Sequence, residues 1–293
     1  MNRPISPLYA TINVTGICNL QCRYCFFQPR AMEVMKWEDF KRALYELSSN
    51  KVFLLNLSGG EPFTHPEIGR FLLFAHAEFD HVVLLSNGTI LSLEHINVIK
   101  EIINMKGIFP IQVSLDSIYP QINSITRGYT TKVIENIKVL SKINAQVSIA
   151  MVISKFNISK ILESITFLSK YTKYFHLMPF QPVKALGRKD AEFEVVGDEL
   201  ESFWKDMMRL KKKLDLMVDI PVDEEAQESG CAFGAPCQAV FSHIVIDPDL
   251  TVRPCDRLTE ISLGNLSTKS LKAIWNNEAS KEVLNQSVPL CCQ

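Results

Sequence analysis

Residues 9 to 25 read YATINVTGICNLQCRYC: a β-branched run from Tyr9 to Val14, then three cysteines, Cys18, Cys22 and Cys25, in the loop that follows. Working outward, the same unit recurs. Further strand candidates are Val52 to Leu57, His81 to Leu85, Ile111 to Leu115, Gln146 to Val152 and Tyr174 to Leu177. Helical patterns lie between them: Trp37, Phe40, Leu44 and Leu47 recur on one face, and Val133, Ile137 and Leu140 on another. Six strand–helix repeats in succession predict a parallel sheet with right-handed crossovers, an α/β fold amounting to a partial (β/α)6 TIM-type barrel. Gly59, Gly60 and Glu61 follow the second strand, Ser86 and Asn87 the third, and Ser114 and Asp116 close the fourth. Loops at the carboxyl ends of parallel strands build active sites, so these residues point to one pocket on one rim.

A last helix pattern carries Leu200, Phe203, Trp204, Met207 and Leu214, and an acidic stretch from Asp219 to Glu228 follows it. Composition changes there. We therefore divide the chain into a barrel, 1–215, and a small cysteine-rich hairpin and helix domain, 216–293. The tail from Gly230 holds five of the eight cysteines and a predicted hairpin, His243 to Ile246 and Thr251 to Arg253, turned at Asp247-Pro248-Asp249.

The 293 residues are 47% hydrophobic, enough for one large core. Lys and Arg number 31 against 32 acidic residues, which leaves no footprint for a nucleic-acid backbone or an anionic membrane. No apolar run has the length of a signal peptide or a bilayer span, and we expect a cytoplasmic protein. Disulfides are disfavoured in that compartment, and the crowding of three cysteines within eight residues reads as metal ligation. Three thiolates on a cluster of four irons leave one iron open to a small molecule. The competing reading is a structural zinc site, which needs a fourth ligand; the nearest downstream histidine is His65.

The run Cys18-Asn19-Leu20-Gln21-Cys22-Arg23-Tyr24-Cys25 resembles the C-x-x-x-C-x-aromatic-C motif of the radical S-adenosylmethionine superfamily, and the likeness covers most of the chain. It implies a 4Fe-4S cluster on the three cysteines, S-adenosyl-L-methionine chelating the fourth iron through its amino and carboxylate groups, and Tyr24 beside the adenine. Gly59-Gly60-Glu61-Pro62 matches the family's second feature. Two glycines let the backbone approach a ligand, and the Glu61 carboxylate can accept from an ammonium group; alone, the run also reads as a tight turn. Asn87, Ser114 and Asp116 can hydrogen-bond ribose hydroxyls or simply cap strand ends. Arg127 stands where relatives carry an arginine for the cofactor carboxylate, which a guanidinium fork suits; the alternative is a solvated arginine at a helix start.

Cys231 and Cys237, separated by five residues, and Cys255, after seventeen more, resemble the auxiliary-cluster tails called SPASM and Twitch. The likeness implies one auxiliary 4Fe-4S cluster in the shorter Twitch form, with Cys291 or Cys292 as fourth ligand and the other thiol free. A zinc ribbon and an open auxiliary iron are the alternatives. Leu250 stands in place of the usual hairpin glycine. The implied activity is reductive cleavage of S-adenosylmethionine to a 5′-deoxyadenosyl radical, acting on a ribosomally made peptide or protein side chain. A small-molecule oxidoreductase or biosynthesis enzyme, and an iron-sulfur electron-transfer or scaffold protein, are the alternatives. Expected partners are a flavodoxin or ferredoxin type reductant and, for a peptide substrate, either direct binding or a separate recognition protein.

Overall fold

Alternation with a period of two places every second strand residue under the helices. Ala10, Ile12, Leu55, Leu57, Val113, Ile149 and Leu177 are buried there, while their neighbours are mostly smaller or polar. In the computed structural model, which describes residues 3–25, 33–180, 191–219 and 238–285, these runs form ten strands. They are β1 (Tyr9–Thr15), β2 (Leu54–Gly59), β3 (His81–Ser86), β4 (Pro110–Ser114), β5 (Gln146–Ile153), β6 (Tyr174–Pro179), β7 (Met217–Asp219), β8 (His243–Ile246), β9 (Thr251–Arg253) and β10 (Gly264–Asn265). The first six strands lie side by side in chain order, all parallel, as the strand–helix repeat predicts. Amphipathic helices cover the outer face; in the helix Trp37–Ser49, Phe40, Ala43, Leu44 and Leu47 are buried.

Two features extend the expected barrel. β7 pairs parallel with β6, so the sheet continues past residue 215. At the opposite edge β8 pairs parallel with β1, Tyr9 opposite His243 and Ile12 opposite Ile246. β9 and β10 then add antiparallel. The hairpin occupies the predicted residues, but it is a continuation of the barrel sheet rather than a detached unit. Its docking is polar as well as apolar: Asn13 donates to Asp247 at 3.1 Å, and the Glu46 carboxylate accepts from the Leu271 amide at 2.8 Å. Asp247 also pairs with Arg253. Leu250 adopts φ 70°, keeping the left-handed turn a glycine would serve, while its side chain is buried.

Candidate functional site

The cysteine loop starts where β1 ends, and Gly59, the last residue of β2, and Gly60 after it hold that start. Gly60 donates its amide to the Thr15 carbonyl at 2.7 Å, and Glu61 to the Ile17 carbonyl at 2.8 Å. A Cβ on Gly59 would lie 2.2 Å from the Thr15 oxygen, and one on Gly60 2.2 Å from the Ile17 oxygen. The close approach that demands glycine is thus to the backbone leading into Cys18. Thr64 adds a side-chain donation to Ile17 at 3.2 Å.

The carboxylate of Glu61, expected to face an ammonium group, is turned into the protein and fully buried. It accepts from Ser86 Oγ at 2.8 Å, the Asn87 amide at 2.6 Å and the Phe63 amide at 3.2 Å. Burial raises its pKa to about 7 against the lowering by those donors. Its position couples β2 to the end of β3. Asn87, expected to meet a ribose, also faces the protein: its amide nitrogen donates to Asn19 at 2.9 Å and lies 3.8 Å from Cys18 Sγ, and its oxygen accepts from Thr89. Asn19 in turn donates to Thr89 Oγ1 at 2.8 Å. The loop residue between the first two thiols is therefore tied to the end of β3.

On the other side of the loop, Asp116 is a hub. One carboxylate oxygen accepts from the Val152 amide at 3.0 Å; the other accepts from the Tyr24 hydroxyl and from Arg127 Nε at 3.2 Å. Its side chain is 1% exposed and that of Arg127 15%, so Asp116 does not present a free carboxylate to a sugar, and Arg127 is not a solvated helix-start residue. Burial opposes the charge on Arg127, but Asp116 more than restores it and raises the pKa. Burial likewise raises the Tyr24 phenol, with Asp116 adding to the effect. The Arg127 guanidinium lies 5.2 Å from the Tyr24 ring centre, and Phe180 and Phe193 stand edge-on to that ring. Ser114 is half-buried on the inner face at the end of β4. Asn123 accepts from the Asp116 amide at 3.1 Å and Asn157 donates to the Asp116 carbonyl at 3.0 Å. No spacing in the sequence marks these two as site residues.

Three soft thiols in one loop suit iron-sulfur ligation. Cys22 is buried, which raises its thiol pKa, with Arg127 opposing and Cys25, Asp116 and Cys18 adding to the rise. The zinc reading finds no fourth ligand in His65, whose ring nitrogens bond the Met35 carbonyl at 2.9 Å and the Glu67 amide at 3.0 Å. Among the described residues no three His, Cys, Asp or Glu gather on a single metal ion, whereas cluster thiolates sit on separate irons. Of the tail cysteines Cys255 is described and half-buried; Cys231, Cys237, Cys291 and Cys292 lie outside the described residues.

The family model described as the Radical SAM superfamily matches residues 12–168. The chain belongs to the radical SAM superfamily. A second model, described as an iron-sulfur cluster-binding domain and named SPASM, matches residues 237–293. Radical SAM domains bind a 4Fe-4S cluster and S-adenosylmethionine, and SPASM domains bind auxiliary iron-sulfur clusters. Among radical SAM relatives, the "Antilisterial bacteriocin subtilosin biosynthesis protein AlbA" of Bacillus subtilis is 28% identical over 97% of this chain, which spans 62% of AlbA's length. In structure the chain resembles SuiB of Streptococcus suis bound to precursor peptide SuiA, with a TM-score of 0.78 and 15% identity over 97% of this chain and 68% of SuiB. It also resembles anSMEcpe with bound AdoMet, with a TM-score of 0.76 and 17% identity over 94% and 82% of the two chains. At these identities the structural likeness establishes the radical SAM and auxiliary-domain fold. No described helix is long and apolar enough to cross a membrane.

Proposed function

We propose that this chain cleaves S-adenosylmethionine reductively and acts on a ribosomally made peptide or a protein side chain. The observation that carries the reading is the cysteine loop, held by the glycine backbone at the end of β2 and just after it, by Asn87 and Thr89 after β3, and by Tyr24 on Asp116. Cys18, Cys22 and Cys25 would hold a 4Fe-4S cluster, which would supply the one electron needed for reductive cleavage of S-adenosylmethionine into methionine and a 5′-deoxyadenosyl radical able to take a hydrogen atom from the substrate. Arg127, oriented through Nε by Asp116, offers its remaining nitrogens to the cofactor carboxylate. Tyr24 presents its ring to the adenine, and Ser114 its hydroxyl to the ribose. Glu61, Asn87 and Asp116 act behind these groups, by orienting the loop and the arginine.

The tail beyond β7 serves as the auxiliary domain, with one 4Fe-4S cluster on Cys231, Cys237, Cys255 and one of Cys291 and Cys292. A flavodoxin or ferredoxin type protein supplies the electron. The peptide reading is supported by the likeness to AlbA, a bacteriocin biosynthesis protein, and to SuiB in its complex with precursor peptide SuiA. Replacing Cys18, Cys22 and Cys25 together by alanine is expected to abolish 5′-deoxyadenosine formation in anaerobically reconstituted protein while auxiliary iron is retained. Cleavage at the wild-type rate in that variant rejects the reading.

A further inference from the structure

β1 and β6 stand at opposite ends of the six-strand run, so the loop that leaves β1 reaches the β6 side only across the carboxyl rim. Tyr24 makes that crossing. Its ring centre lies 6.2 Å from that of Phe180, just past β6, and 6.1 Å from that of Phe193. Phe193 ends the short 3₁₀ turn Ala191–Phe193 and is fully buried. It also packs on Phe180 at 5.3 Å and on Phe156, just past β5, at 5.0 Å, and its carbonyl accepts from the Lys155 amide at 3.1 Å. Segments that follow β1, β5 and β6 therefore meet at four rings.

A charged contact joins two of those segments outside the ring cluster. The Arg23 guanidinium donates to the Glu192 carboxylate and lies 5.0 Å from the centre of the Phe193 ring. Each partner is the chain neighbour of a clustered ring, Arg23 of Tyr24 and Glu192 of Phe193. Their side chains are 52% and 53% exposed, so the pair adds little to folding as a whole. Its place gives it leverage. Arg23 lies between the second and third thiols, and its amide donates to the Thr126 carbonyl at 3.2 Å, beside Arg127.

We propose that Arg23 and Glu192 are a positioning pair, which clasps the Ala191–Phe193 turn onto the cysteine loop, fixes the Tyr24 ring and so slows the release of bound S-adenosylmethionine. The inference rests on the functional reading above, in which Tyr24 faces the adenine. Both residues act through the rings beside them. With the clasp open, Phe193 withdraws from the Tyr24 edge, and Tyr24 is left with its hydroxyl on Asp116, Arg127 over its ring and Phe180. The ring then tilts more freely, and the adenine loses a fixed neighbour.

The test uses full-length protein reconstituted anaerobically. S-adenosylmethionine is titrated against the reduced cluster of Cys18, Cys22 and Cys25, and binding is read from the change in its electron paramagnetic resonance signal. Arg23→Glu and Glu192→Arg are each expected to raise the dissociation constant about three-fold, the scale of an exposed ion pair. The double exchange restores the pair with its charges reversed and should recover most of the affinity. Without S-adenosylmethionine, hydrogen exchange at the Arg23 amide should be faster in each single variant and slow again in the double. Bound iron should be equal in all four proteins. Phe193→Ala should weaken binding more than either charge reversal, with Phe193→Leu between it and the wild type. Losses that add in the double variant overturn the clasp. So does a loss with Arg23→Glu and none with Glu192→Arg, which puts Arg23 on the cofactor itself. Iron that falls in step with affinity also overturns it, by reducing the pair to a support of the loop. Wild-type formation of 5′-deoxyadenosine separates the two readings. Cleavage with additive losses keeps the function and removes the clasp; binding without cleavage, recovered in the double variant, keeps the clasp and removes the reductive activity.

Discussion

Glu61 shows how much a single side chain's direction decides. Its two oxygens take three donors, Ser86 and the Asn87 amide at the end of β3 and the Phe63 amide in the turn after β2, yet burial still holds its pKa near 7 instead of the usual 4.5. For an acid whose folded pKa is raised, the unfolded chain releases its proton first. Stability is therefore unaffected below about 4.5 and falls as pH rises to about 7. Glu61→Gln cannot ionise and lacks that loss. Between pH 4.5 and 7.5 the stability of the variant should gain on the wild type by on the order of 3 kcal/mol, read as the difference in urea unfolding at the two pH values. Parallel pH profiles for the two proteins would place the proton elsewhere. The residue types of this site were legible in the sequence: the thiol spacing, the paired glycines, Tyr24 and Arg127. What was not legible is which way Glu61, Asn87 and Asp116 turn. A strand-end carboxylate reads the same whether it meets a ligand or its own neighbours, and only the partners brought by β3 and β5 decide.

At the scale of the element, the hairpin of β8 and β9 was readable because Asp247-Pro248-Asp249 is turn chemistry between β-branched runs, and Asp249 accepts from the Thr251 amide at 2.9 Å. β2 starts two residues later than the sequence pattern predicts, at Leu54, because the Val52 and Phe53 amides bond the Leu47 and Leu8 carbonyls instead. β7 escaped because three residues with one buried side chain carry no period. Leu250 sets a contest within the hairpin. Its left-handed backbone costs roughly 1–2 kcal/mol, but a buried leucine truncated to a small residue typically loses about 2–5 kcal/mol. Packing wins, so Leu250→Gly is expected to lower stability in denaturant melts despite relieving the backbone. An equal or higher midpoint would mean that strain dominates.

For the whole molecule, the join between barrel and tail is a run of sheet hydrogen bonds whose register begins at His243 opposite Tyr9. The His243 ring stacks on Tyr9 at 4.5 Å and bonds Thr11 at 3.1 Å, and burial lowers its pKa to about 4. A base depressed in the folded state contributes no loss above its unfolded value of 6.5, and stability declines as pH falls from there toward 4. At pH 5.5 the penalty is about 1 kcal/mol. His243→Phe keeps the stacked ring and removes the titration. Hydrogen exchange at residues 243–246, corrected for intrinsic rates, should accelerate on acidification in the wild type more than in the variant; the same pH response in both would exonerate the histidine. The inner face of the sheet has a consequence of another kind. Asn56, Ser58, Gln112, Ser114, Ser148 and His176 remain partly exposed there, whereas the alternate residues are buried under the helices. Exchanges at the partly exposed positions forfeit less burial than exchanges under the helices. That makes them, rather than the core or the cysteine loop, the part of this chain most open to evolutionary drift and to redesign.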